Sequence, residues 1–283
     1  MKLGMLTWVG AAMLLAGCMA APEDEPFDEG SDDEEATAEA VSAARPEGPL
    51  GVNGMNPVDF WKPENQQALR TLGQSALVGA DGALVPSRLR GTDGGRSVLG
   101  YALKCALDAG DGVEDESGTL FPGRMGLAAA WKTRGLDAGE QRWVTACLLQ
   151  HLNGVGAHVP ILLLGNHPAL DRGDGLSTQS FGVPDATAFG NLFTSNGKAY
   201  VCANVGLQLA CGVGLSLSSL QRLCGLSPTC GINVLGLCAL SCAYDAEGDP
   251  SCGLLLGPSY PEAIATRLET STFVSLYPLC SAP

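Results

Sequence analysis

Three histidines in the middle of the chain are the side chains best suited to catalysis. They are His151, His158 and His167, and Asp171 and Asp174 follow closely. Neutral imidazole is a common zinc ligand, and zinc held by three protein ligands can activate a water molecule for hydrolysis. A metal-dependent hydrolase that uses the His151/His158/His167 region is therefore one function that the sequence allows.

Two shorter patterns add to the chemistry of this stretch. Cys147 and His151 are four residues apart, which would place a thiol beside an imidazole on one helix face, as a Cys–His nucleophile requires. Gly165-Asn166-His167 resembles one block of the metallophosphoesterases, but the chain lacks the Asp-x-His and Gly-His-x-His blocks of that family. The sequence also contains no P-loop and no Gly-x-Ser-x-Gly motif. We therefore assign no catalytic residue, metal ligand or cofactor.

Two helices are predicted to carry these side chains. Apolar residues recur at helical spacing over residues 97–107 and again from Gln141 to Asn153. Asp137 and Glu140 have the spacing of a capping box, with Asp in place of Ser or Thr, and would begin the second helix. The cysteine and histidine of the candidate nucleophile pair would then lie on that helix.

The other predicted elements are short. Pro63 suits the first turn of a helix that runs to about Leu72. Turn residues and apolar runs further predict a hairpin within 108–123, a short helix over 127–134, strands over 159–164, 199–205, 232–237 and 272–277, and a helix over 216–223. Residues 260–269 fit either a helix or a strand.

The cysteines favour disulfide bonds. Cys105 and Cys147 lie on the two main helices, and no other cysteine occurs between residues 19 and 201, so we expect these two to pair. Eight more follow in the second half of the chain: Cys202, Cys211, Cys224, Cys230, Cys238, Cys242, Cys252 and Cys280. Their connectivity stays open. A metal site is disfavoured because the closest spacing is Cys-x3-Cys and no histidine follows His167.

The one cysteine left unpaired, Cys18, closes an apolar segment that begins after Lys2. The segment is too short to span a bilayer and has the flanks of a secretory signal peptide. Leu15-Ala16-Gly17-Cys18 resembles the lipobox of bacterial lipoproteins, which implies cleavage after residue 17 and a lipid on the Cys18 sulfur. An ordinary signal peptide cut near Ala20-Ala21-Pro22 is the alternative. Residue 19 is Met rather than Asp, which by resemblance to the sorting of Gram-negative lipoproteins implies the outer membrane or cell surface, with the periplasmic face also allowed.

The segment after the lipobox has the composition of a spacer. Residues 19–50 hold eleven acids and one base, Arg45, and one aromatic residue, Phe27. Such a sequence cannot bury enough apolar surface to become ordered, so we predict that residues 18–50 are a disordered acidic tether. The chain shows no basic stripe, which argues against binding to nucleic acid.

The remaining residues, 51–283, are rich in glycine and poor in aromatic residues, and disulfides would offset the entropy that glycine loses on folding. We expect a disulfide-stapled extracytoplasmic α+β domain with short strands and two or three main helices. If this domain is divided, the boundary is expected near 175–198.

Several segments within residues 97–280 resemble uncharacterised cysteine-rich secreted proteins and lipoproteins of deltaproteobacteria, of the myxobacterial type. They are 101–107, 121–131, 140–149 and 230–238. The resemblance implies a shared extracellular fold and no assigned activity. We therefore expect a lipoprotein held to the membrane by its lipid, with a non-catalytic role in the envelope or in binding a protein or glycan. The binding role predicts an exposed aromatic or apolar patch, for which Trp61 and Trp131 are candidates.

Overall fold

The computed structural model of the chain describes residues 50–156, 159–170, 180–204, 222–225 and 230–276. These residues form a mixed α+β domain, as the sequence predicts. No helix among them is long and apolar enough to cross a membrane.

A six-stranded sheet forms the centre of the domain. In spatial order its strands are β1 (Leu50–Asn53), β4 (Val159–Leu164), β11 (Ile264–Leu268), β5 (Val183–Asn191), β6 (Lys198–Ala203) and β7 (Ile232–Leu237). All neighbouring pairs are antiparallel except β6 and β7, which are parallel. Strands β4, β5 and β6 are buried along most of their length, so both faces are covered at the centre of the sheet.

Two smaller sheets complete the strand structure. One consists of β10 (Ser259–Tyr260), β9 (Pro250–Gly253) and β8 (Cys242–Tyr244), and the other is the hairpin of β2 (Gly112–Glu114) and β3 (Leu120–Pro122). The hairpin confirms the prediction for residues 108–123.

The main helices precede most of the sheet in sequence. They are α1 (Pro57–Phe60), α2 (Pro63–Leu72), α3 (Asp93–Ala106) and α4 (Ala138–Gln150), with a short 3₁₀ turn at Ala129–Lys132. The capping box is present, because the Asp137 side chain accepts from the Glu140 N–H and the Glu140 side chain accepts from the Asp137 N–H, each at 2.9 Å. Helix α4 packs on α3 and across β5 and β11.

The prediction of a strand over 272–277 is wrong, because Thr270–Leu276 forms a helix, α5. The β-branched residues here favour a strand. The helix brings Phe273, which is fully buried, and Leu276, three residues further on, against the core. The undecided segment 260–269 is resolved as strand, since it contributes to β10 and β11. Most of the predicted helix 216–223 lies outside the described residues.

Trp131 is also placed differently from expectation. It is fully buried, and its indole N–H lies 3.2 Å from the Ser75 carbonyl oxygen and 3.3 Å from that of Leu72, to which it donates. Trp61 is half-buried and lies edge-on to Phe60. A buried tryptophan whose N–H is satisfied belongs to the core, so Trp131 is not part of an exposed aromatic patch.

Candidate functional site

The disulfide between Cys105 and Cys147 is present and joins α3 to α4 at their points of contact. The two Cα atoms are 5.9 Å apart, and both side chains have no exposed surface. This confirms the pair that the cysteine spacing predicts.

His151 lies beside this disulfide, at the C-terminal cap of α4. Its Nδ1 is 3.6 Å from the Cys147 sulfur and 3.9 Å from the Cys105 sulfur. The same nitrogen is 2.9 Å from the Cys147 carbonyl oxygen, which can only accept, so Nδ1 carries the proton and donates. Burial is the main cause that lowers the pKa of His151 to about 4, so the imidazole is neutral at physiological pH.

Cys105, Cys147 and His151 place three potential metal-ligating atoms within 4.8 Å of one another. A metal ligand or a nucleophile must be a thiolate, and the two sulfurs are bonded to each other instead. While the disulfide is intact, this cluster therefore supports neither the Cys–His nucleophile pair nor a metal site.

His167 has different neighbours. Its half-buried ring lies edge-on to Trp143, and its Nδ1 accepts from the Ala169 N–H at 3.1 Å. Burial lowers the pKa of His167. His158 and the two aspartates of the expected zinc site, Asp171 and Asp174, lie outside the described residues. The described contacts of His151 and His167 therefore do not bring these two histidines together.

Three more disulfides join cysteines of the second half of the chain. They are Cys202–Cys238, Cys224–Cys230 and Cys242–Cys252. The first joins β6 to the residue that follows β7, and the third joins neighbouring strands of the small sheet. Cys18, Cys211 and Cys280 lie outside the described residues.

A surface groove lined by polar groups is the best candidate for a ligand-binding site. It has a volume of about 250 Å³ and lies between α4, the turn from β5 to β6, and β10. We name it the Arg142–Lys198 groove. Six of its lining residues matter below: Arg142, Asn191, Asn196, Lys198, Tyr200 and Tyr260.

The two basic residues of the groove differ in their pairing. The Arg142 guanidinium lies 5.2 Å from the centre of the Tyr260 ring, and its Nη1 is 3.3 Å from Glu262. The Arg142 Nε–H is buried and has no acceptor among the described residues. Lys198 is exposed, and within the described part of the chain it forms no ion pair. A chain with a net charge of −14 thus presents two cations at one groove.

Tyr200 and Tyr260 line the same groove, and their rings are held in place by packing. Both rings pack on Phe189, with ring centres 5.4 Å away in each case, and each tyrosine is less than a tenth exposed. Neither hydroxyl forms a hydrogen bond to another described residue. Burial is the main cause that raises the pKa of Tyr260, so its hydroxyl remains a neutral donor at physiological pH.

A second polar cluster, which sequence reasoning missed, is buried where the end of α4 meets strands β5 and β11. Arg222 and Asp185 form an ion pair in which both side chains have no exposed surface, with Nη2 2.6 Å from the carboxylate. Gln150 and Thr266 complete the cluster. It is closed to solvent and already holds its cation, so we regard it as structural.

The chain matches no protein-family model, and it has no significant match among curated proteins or solved structures. The geometry described above is therefore the basis on which function can be inferred.

Proposed function

We propose that this protein is an envelope-anchored lipoprotein whose domain binds a ligand and does not catalyse a reaction. Lipid on Cys18 would hold it to the outer membrane or cell surface, and residues 18–50 would keep the domain away from the lipid. The four disulfides support an oxidising compartment, because such bonds persist outside the cytoplasm.

The observation that carries the binding role is the set of unused polar groups in the Arg142–Lys198 groove. The Lys198 ammonium and the hydroxyls of Tyr200 and Tyr260 have no internal partner in the described structure, and they line one concave surface. Convergent polar groups in a preformed pocket are typical of ligand sites. By contrast, His151 is buried and donates to the carbonyl of its own helix.

The anchor is tested by membrane fractionation of cells that produce the full chain. We expect the wild-type protein to remain in the membrane fraction after a carbonate wash, and the Cys18→Ser variant to be released. If both are soluble, the anchor is wrong and the protein is freely secreted.

The binding role is tested with envelope polysaccharide isolated from the producing bacterium. We expect the wild-type protein to bind it saturably, and Lys198→Gln to bind it several-fold more weakly. Arg124→Gln is the matched control, because Arg124 is exposed, loses the same charge and does not line the groove. Equal binding by the wild-type protein and both variants would remove the groove from the function.

Hydrolysis is measured on the same preparations. Zinc-dependent cleavage of an ester or phosphoester substrate that His167→Ala abolishes would contradict the non-catalytic role and favour the hydrolase.

A further inference from the structure

We infer that the Arg142–Lys198 groove binds a single acidic sugar unit, that is, a ring that bears one carboxylate and several hydroxyls. This rests on the proposed function, which makes the groove a ligand site, and adds the chemical class of the ligand.

The charges of the groove select an anion. Arg142 and Lys198 both line it, and no carboxylate is among its described lining residues. Glu262 contacts Arg142 through one guanidinium nitrogen only, and leaves the Nε–H without an acceptor. Lys198 is exposed and forms no ion pair in the described structure. Hydrogen bonds between cations and carboxylates are among the stronger ones that proteins form, so a bound carboxylate would gain from both bases.

The neutral polar side chains of the groove can form hydrogen bonds to hydroxyl groups of the same ligand. Tyr200 and Tyr260 each present a hydroxyl that can donate and accept, and Asn196 is exposed in the turn between β5 and β6. The Tyr200 ring stacks on Phe189, and the Tyr260 ring is tilted against both Phe189 and Tyr200, with the two tyrosine ring centres 6.0 Å apart. Both tyrosines line the groove, and their hydroxyls form no hydrogen bond to another described residue, so these hydroxyls are the groups left for a ligand. A purely apolar ligand would leave these groups unpaired.

The size of the groove suits a compact unit such as one sugar. Its volume of about 250 Å³ lies below the range of roughly 300–1,000 Å³ that is usual for drug-sized ligands. The cost of ordering the site is small, because the tyrosine rings are already fixed by packing and Asn191 is held by Gln141 at 3.0 Å. The site is thus preformed for a compact ligand, which suits one unit of a longer polysaccharide.

The test uses calorimetric titration of the full-length protein with matched probes. Methyl α-D-galacturonoside carries the carboxylate, and methyl α-D-galactoside is the same ring with a neutral hydroxymethyl group. We expect the uronoside to bind saturably and at least tenfold more tightly than the galactoside, since the lost interaction involves charged partners. Inorganic phosphate serves as the anion without a sugar ring.

Variants assign this binding to the groove. We expect Lys198→Gln to weaken uronoside binding about tenfold and to weaken galactoside binding much less, so that the preference for the uronoside falls. Tyr260→Phe keeps the ring and removes the hydroxyl, so it should weaken both sugars. Arg124→Gln should change neither. Equal melting temperatures of the four proteins would exclude unfolding as the cause.

Three results would overturn the inference. They are the absence of saturable uronoside binding, equal affinity for both sugars, and phosphate binding as tight as that of the uronoside. If the uronoside fails while the envelope polysaccharide still requires Lys198, the ligand class is wrong and the proposed function stands. If the uronoside fails and binding of the envelope polysaccharide does not require Lys198 either, the proposed function fails as well.

Discussion

The guanidinium of Arg222 lies 2.6 Å from the carboxylate of Asp185, and neither side chain reaches solvent. The pairing of β11 with β5 is irregular at this point, so that Thr266 faces both Asp185 and Ala186. Such a bulge turns a side chain that would otherwise alternate across the sheet. Gln150, the last residue of α4, binds the same guanidinium through its side chain and its carbonyl oxygen. The cluster thereby connects helix α4 to strands β5 and β11 of the central sheet.

We predict that Arg222→Met destabilises the domain by about 3–5 kcal/mol, because it leaves Asp185 buried without its cation. Urea unfolding with the disulfides intact would measure this. Lys132→Met is the control, since Lys132 pairs with Asp111 at a half-exposed position and should contribute at most about 1 kcal/mol.

A double variant makes the prediction specific to the ion pair. Arg222→Met with Asp185→Leu removes both charges, so its cost should be well below the sum of the two single variants. Additive costs would show that the two side chains do not act as a pair.

Local signals predicted much of the helical half of the fold. The capping box at Asp137 and Glu140 and the proline at the start of α2 are short-range features, and both helices begin where these residues indicate. The isolation of Cys105 and Cys147 along the chain was sufficient to pair them. These features need no knowledge of distant residues.

Features that depend on distant residues could not be predicted in this way. The helix α5 has strand-forming residues, and it packs on the core through Phe273 and Leu276, which lie one helical turn apart. The Arg142–Lys198 groove combines α4, β6 and β10, which are far apart in sequence. Lys198 and Tyr260 carry no motif, and only the folded sheet brings them to one surface.

The Cys105–Cys147 bond is expected to stabilise the domain more than the Cys242–Cys252 bond. In the chain-entropy model the loop closed by a sequence separation of 42 gives about 4 kcal/mol, and a separation of 10 gives about 3 kcal/mol. Replacing both cysteines of each bond with alanine and comparing urea midpoints tests this order. The cavity left at the fully buried Cys105 and Cys147 acts in the same direction. An equal or reversed order would contradict the prediction.

His151 should make the domain less stable as the pH falls. Its pKa is about 4 in the folded protein against about 6.5 in an unfolded chain. Between these values the unfolded state binds a proton that the folded state does not, so the free energy of unfolding decreases as the pH falls from 6.5 to 4. The decrease is on the order of 3 kcal/mol.

Urea unfolding at several pH values, compared with His151→Gln, isolates this contribution from that of His167 and the carboxylates. The variant should lose stability less steeply than the wild-type protein over this range. Identical pH profiles would show that His151 is protonated in the folded domain or does not titrate differently on unfolding.

Cys211 and Cys280 are predicted to form a fifth disulfide. Four bonds use eight of the ten cysteines after Cys18, which leaves these two, and an oxidising compartment disfavours free thiols.

Intact mass of the membrane-extracted protein should show a lipid adduct on Cys18 and no alkylation in denaturant alone. After reduction, ten thiols should be alkylated. The Cys211→Ser variant should expose one thiol without reduction, and peptide mapping should place it at Cys280. Alkylation of both cysteines in the unreduced wild-type protein would instead show a pair of free thiols, and would make a redox or metal-binding role for that pair the next property to measure.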